Sequence, residues 1–184
     1  IGPGTSLSDV PKLLKAALNL PLEMVEGYKG GAEARLAVES GEVDGLCASW
    51  QATKVSWRNQ METGKIHVVL QATLKSHPEL KKVPLAINYA KTEEARTLLR
   101  VADNVHVYQF PFSTAPGTPP DRLQVLQQAF VETLRDPELI GEAKKADLEI
   151  APVDGPTTTK TFNGLYELPP TLIAKLKELL IPKR

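Results

Sequence analysis

Two glycine-rich turns are the residues of this chain best suited to hold a small ligand. Gly27-Tyr28-Lys29-Gly30-Gly31 and Gly41-Glu42-Val43-Asp44-Gly45 bracket one short helix. Turns of this kind at a strand-to-helix mouth leave backbone N–H groups free to receive a carboxylate or phosphate without a charged side chain. Groups capable of covalent or metal chemistry are sparse by comparison. His67, His77 and His106 share no metal-ligand spacing with each other or with Cys47. Cys47 falls in an apolar run, where a thiol is inert, and His67 alternates with apolar residues so that it faces solvent. There is no Gly-x-Ser-x-Gly elbow, and Lys29 lacks the Walker spacing. The residues favour binding over catalysis, so the chain is read as a non-enzyme without metal or cofactor.

The elements that must position these turns follow from apolar period and punctuation. Leu7, Val10, Leu13, Leu14, Ala17 and Leu18 recur at helical spacing, with Ser6 as cap and Asp9 three residues on. Leu22 to Tyr28 reads as a strand, Ala32 to Glu39 as a helix ended by Gly41, and Val43 to Ser49 as a buried strand. Trp50 to Glu62 reads as one amphipathic helix ended by Gly64, and Ile66 to Ala72 as a further strand. A polar, proline-punctuated loop runs from Lys75 to Pro84, and Thr92 caps a helix to Val101. Val105 to Phe112 reads as a strand carrying the chain onward. Ala115-Pro116-Gly117-Thr118-Pro119-Pro120 is the strongest punctuation, and the helix after it places Leu123, Leu126, Gln127, Phe130 and Leu134 on one face. Helices are also predicted over Pro137 to Lys145 and Pro170 to Leu180, with Leu148-Glu149-Ile150 as an edge strand. Alternating strands and helices predict an α/β fold with a mainly parallel sheet and helices on both faces.

Composition narrows the classes of function. The 184 residues carry 22 Lys+Arg against 22 Asp+Glu, so the formal net charge is zero, which argues against binding driven by nucleic-acid or anionic-lipid charge. The chain is 42% hydrophobic, enough to bury a sizeable core, yet no apolar run reaches the ~18–20 residues of a membrane span. A single cysteine cannot form an intrachain disulfide.

Several of these motifs occur together in an informative order. The first glycine turn is followed by Gly41-Glu42-Val43-Asp44, by Gly64-Lys65 before an apolar run, by His77-Pro78-Glu79-Leu80 with Val83-Pro84, and by Ala115–Pro120 with Asp136-Pro137-Glu138. In this order the chain resembles the extracytoplasmic solute receptors of tripartite tricarboxylate transporters, the Bug-type (TctC-like) periplasmic binding proteins. The resemblance implies a type II periplasmic-binding fold of two α/β lobes, here incomplete, because the N-terminal part of the first lobe is missing. Residues 1–110 would form the second lobe and 111–184 a mainly helical return into the first. It implies a periplasmic location, although this segment has no signal peptide, and membrane transporter subunits as partners.

The ligand it implies is a small organic anion, a di- or tricarboxylate or related acid, with lobe closure about hinges near Ala72–Leu74 and Gln109–Ser113. Gly2, Gly4, Thr5 and Ser6 correspond to a loop presenting N–H and hydroxyl groups, for which helix capping is the alternative. Tyr28, Lys29 and Gly30 lie at the next mouth, where a plain tight turn is the alternative. Ser49 and Trp50 would shape the pocket wall, although core packing is the preferred reading of Trp50. Phe112 and Ser113 would lie at the crossing between lobes, or form a hinge strand without ligand contact. A second reading of function is a truncated domain that serves as an oligomeric interaction module, a homodimer covering the missing lobe.

Overall fold

The computed structural model describes residues 1–105, 111–146 and 148–181. It overturns the α/β expectation. Helix accounts for 57% of the chain and strand for 1%, and no sheet forms among the described residues. The incomplete two-lobe parallel-sheet architecture is therefore replaced by an all-helical one. In chain order the helices are α1 (Ser6–Leu18), α2 (Gly31–Ser40), α3 (Trp50–Ser56), α4 (Arg58–Glu62), α5 (Glu93–Asn104), α6 (Pro120–Thr133), α7 (Pro137–Lys145), α8 (Gly155–Tyr166) and α9 (Pro170–Leu180). Short 3-10 turns occupy Pro78–Leu80 and Ala86–Tyr89.

The physical reason lies in where backbone hydrogen bonds can be made. A helix satisfies its own N–H and C=O groups locally, whereas a strand needs a neighbour at the right distance. The stretches 22–28, 43–49 and 148–150 have strand-like composition but find no ladder partner here and run as irregular chain. Ile66 to Ala72 comes closest. Ile66, Val68 and Leu70 are half-buried while His67 and Val69 are exposed, the alternation of an extended strand. Its pairing stops at a single parallel bridge, Gln71 to Leu85. Of the predicted strand Val105 to Phe112, residues 106–110 lie outside the described residues, and 111–112 are irregular.

The chain divides into two compact units, Ile1–His106 with Leu168–Arg184, and Val107–Glu167. The first holds the core. Val10, Leu13 and Leu14 of α1 pack with Ala95, Leu98, Leu99 and Ala102 of α5, and Ala86, Ala90 and Leu172 of α9 close the cluster. The α5 residues fall at i, i+3, i+4 and i+7, one stripe of the helix, so a single face is buried. Thr92 caps α5 by accepting from the Ala95 N–H at 3.1 Å. Gly41 ends α2 in the left-handed conformation (φ 77°), as the sequence predicts.

The predicted helix Trp50 to Glu62 is broken in two at Trp57. That residue is buried, and its indole N–H donates to Glu39 Oε1 at 2.7 Å. Its backbone leaves helical geometry (φ −122°, ψ 22°) between α3 and α4. The second unit contains α6, α7 and α8, and none of these helices has a buried residue. An open depression of about 590 Å³ lies between α6 and α8, where Gln127 faces Thr159, Lys160, Asn163 and Glu167. No helix among the described residues is long and apolar enough to cross a membrane.

Candidate functional site

Apart from Phe112 and Ser113, the residues singled out for ligand contact stand at three helix N-termini, and two of these are brought together. At the first, Thr5 rather than Ser6 is the cap of α1. Its hydroxyl does not cap the helix but donates to the Gly2 carbonyl at 2.8 Å, holding the turn Gly2–Thr5 closed. Gly4 takes φ +86°, a conformation that a residue with Cβ adopts only under strain. That turn aims the Gly4 N–H at the Asp9 carboxylate, 3.2 and 3.1 Å from its two oxygens. Burial raises the Asp9 pKa, against the Gly4 hydrogen bond and the Lys12 charge, which lower it.

The second mouth repeats the device. Gly30 is the extended cap of α2, and the preceding N–H, that of Lys29, donates to Glu33 Oε2 at 2.5 Å. Tyr28 donates its phenol proton to Glu42 at 2.7 Å, and that hydrogen bond raises the phenol pKa. The Lys29 residue is exposed. The two mouths adjoin, because the Gly27 N–H donates to the Ile1 carbonyl at 3.0 Å and a Cβ at Gly31 would lie 3.8 Å from Leu7 Cδ1. Between them Glu26 accepts from the buried Ser8 hydroxyl at 2.5 Å and pairs with Lys12 at 2.7 Å. Lys12 first and Ser8 second hold the Glu26 carboxyl below its usual range.

The third mouth is organised differently. Ser49 caps α3 by accepting from the Ala52 N–H at 3.2 Å. Trp50 is half-buried, and its indole donates to Glu79 Oε2 at 2.5 Å. Lys54 reaches the same carboxylate at 3.1 Å, and the His77 ring stands 6.2 Å from that of Trp50. The Trp50 hydrogen bond, then Lys54, holds the Glu79 carboxyl below its ordinary range. Trp50 is thus tied to the 76–80 turn, and the buried tryptophan is Trp57. Phe112 and Ser113 belong to the second unit and are exposed, with the Phe112 ring 4.7 Å from that of Phe130. Of the two proposed hinges, Gln109 and Phe110 lie outside the described residues, as does His106.

Sequence reasoning passed over the residue that positions the third mouth. Gln71 is 5% exposed, and its amide nitrogen donates to the carbonyls of Leu80 (3.0 Å) and Val83 (2.7 Å). Its amide oxygen accepts from the His77 N–H at 2.9 Å. The only signal for it was a glutamine at the end of an apolar run, where a buried amide must find partners.

Chemically, the adjoining mouths are carboxylate cradles with tenants already in place. The Gly4 N–H donates to the Asp9 carboxylate and the Lys29 N–H to that of Glu33, so each donor can serve a carboxylate. Burial pushes the Cys47 thiol up to about 11, which disfavours its thiolate near neutral pH. Among the described residues no cluster of three or more His, Cys, Asp or Glu side chains could hold a metal ion. No protein-family model matches the chain, and no curated protein or solved structure matches it significantly.

Proposed function

We propose that this chain is an extracytoplasmic solute-binding receptor for a small organic anion, a di- or tricarboxylate or related acid, of the kind that serves tripartite tricarboxylate transporters. The observation that carries the reading is the pairing of two glycine-rich helix mouths whose backbone donors are already set for carboxylates. A ligand would displace the Asp9 or Glu33 carboxylate and take over the Gly4 or Lys29 N–H, with the positive ends of α1 and α2 behind it. Lys29 and Tyr28 stand at the rim of the second mouth and would contact the part of the ligand outside the cradle. The protein would bind and release without altering its ligand, and membrane transporter subunits would be the partners that read the bound form.

The test is a thermal-shift titration with succinate, citrate, glutamate and benzoate, backed by calorimetry. A ligand at 100 times its Kd stabilises by about 2.7 kcal/mol, which for a chain of this size raises Tm by roughly 5–10 °C. Gly30→Val, which adds a side chain beside the second mouth, should abolish the shift. The reading is refuted if no acid at about 10 mM raises Tm, a level at which even a Kd of ~1 mM would register.

A further inference from the structure

The segment that joins the two glycine-rich mouths is held by side chains of α1. Residues 20–28 run irregularly from the end of α1 to the second glycine turn, so no helix or ladder fixes their course. Ser8, Lys12 and Lys15 fall at i, i+4 and i+7 of α1, one stripe on the side opposite Val10, Leu13 and Leu14, which enter the core. Each of the three is tied to the segment. Lys15 Nζ donates to the Leu22 carbonyl at 2.5 Å, and Ser8 and Lys12 meet on one oxygen, Glu26 Oε1, at 2.5 and 2.7 Å. Ser8 is 1% exposed, so water competes little for the hydroxyl that it offers Glu26. The next residue, Gly27, is bonded through its N–H to the Ile1 carbonyl.

We propose, resting on the carboxylate reading above, that Glu26 is the positioning residue that fixes the spacing of the two mouths and so gives the site its preference for a dicarboxylate over a monocarboxylate. Glu26 leaves the cradles themselves to Asp9 and Glu33, and its own carboxylate is engaged by Ser8 and Lys12. It acts through the turn that follows it. Gly27 (φ +106°), Tyr28 and Lys29 come directly after Glu26, so releasing its carboxylate loosens the chain that carries the Lys29 N–H. A monocarboxylate uses one mouth and is indifferent to where the other stands. A dicarboxylate uses both, and its second contact forms at an effective concentration that is high while the spacing is held and falls once the segment moves.

The experiment is calorimetry of the full chain with succinate and with acetate. The unaltered chain should bind succinate at least about tenfold more tightly than acetate. Glu26→Ala should bring that ratio towards one, and Glu26→Gln, which keeps an acceptor for Ser8 but loses the ion pair with Lys12, should fall between. Glu23→Gln, the same loss of charge at an exposed residue of the segment, should leave the ratio unchanged. Removing a negative charge beside the mouths favours the doubly charged acid, so a fall in the ratio reports spacing and not charge. Hydrogen exchange without any acid supplies a second readout. In Glu26→Ala the Gly27 amide should exchange about tenfold faster while the Leu98 and Leu99 amides of α5 are unchanged, which separates a loosened segment from an unfolded chain. If neither acid binds the unaltered chain, the carboxylate reading fails and this proposal with it. If both acids bind and the ratio is the same in Glu26→Ala and Glu26→Gln, or if Gly27 exchange is unmoved, the proposal alone is overturned.

Discussion

Replacing Gln71 with leucine tests how the loop beside Trp50 is held. The leucine fills nearly the same volume, so the change removes hydrogen bonds rather than packing. It deletes donations to the Leu80 and Val83 carbonyls, a longer one to the Ser76 hydroxyl at 3.3 Å, and one acceptance, from the His77 N–H, all from a side chain in a residue only 5% exposed. Each such bond is worth about 1 kcal/mol net, and a backbone group left buried without a partner costs more than the bond it lost. Lys81 and Lys82 are exposed, so water can reach part of that turn and recover some of the loss. The expected destabilisation is therefore about 2–4 kcal/mol, a fall in Tm of roughly 5–15 °C. The assay is urea unfolding followed by far-UV circular dichroism, in which the midpoint should fall with an unchanged slope. Gln71→Glu should be worse at neutral pH, since a carboxylate would face the two carbonyls that the amide nitrogen now serves. The reasoning fails if Gln71→Leu unfolds within about 0.5 kcal/mol of the unaltered chain, the ordinary spread for a surface change.

Two further predictions concern titratable groups. With its thiol pushed up to about 11, Cys47 should react with iodoacetamide at pH 8 roughly 100-fold more slowly in the native chain than in urea, and equal rates would show that the thiol is not buried. The Glu26 pKa is lowered in the folded state by Lys12 and Ser8, so its stabilisation is complete above the unfolded value and is lost as pH falls through the folded one. Because the Glu26 side chain is about a third exposed, the effect should be modest, about 0.5–1 kcal/mol; Glu26→Gln should flatten the acid limb of the stability profile, and an unaltered limb would remove Glu26 from the account.

What the sequence disclosed and what it concealed divide along the range of the interactions involved. Pro137–Lys145 and Pro170–Leu180 were legible to the residue, since a proline that begins a helix and an apolar period within it are local signals. Gly41 was legible as the stop of α2, and Thr92 as the start of α5. Helix α8 was not, because Thr157, Thr158, Thr159 and Thr161 weaken helix propensity and carry no apolar stripe. Its signal was present in Asp154, whose side chain caps the helix by accepting from the Thr157 N–H at 2.7 Å, followed by Pro156 in the first turn. The strand predictions failed for a non-local reason. Val43–Ser49 and Ile66–Ala72 have the composition of buried strands, but composition says nothing about whether a neighbour stands 4.8 Å away to complete the ladder. At the site, the glycine positions marked both helix mouths, whereas of the carboxylates that fill them Asp9 drew attention only as a helix-start residue and Glu33 drew none.

Those carboxylates also set the terms on which a ligand would bind. Asp9 and Glu33 are tethered within one helical turn of the N–H groups they occupy, so each competes at an effective concentration on the order of millimolar or above. A monocarboxylate exchanging with one of them swaps one charge-assisted hydrogen bond for an equivalent one and must also lose its own translational freedom, which leaves little net affinity. A dicarboxylate that engages both mouths meets that entropy loss once for two exchanges, since the second becomes intramolecular after the first. Such bridging requires adjoining mouths, and these adjoin through the Gly27–Ile1 hydrogen bond and Leu7 beside Gly31. It follows that succinate and citrate should outrank benzoate in the thermal-shift panel. The reverse order would place recognition at an aromatic wall such as Trp50 and away from the two glycine-rich mouths.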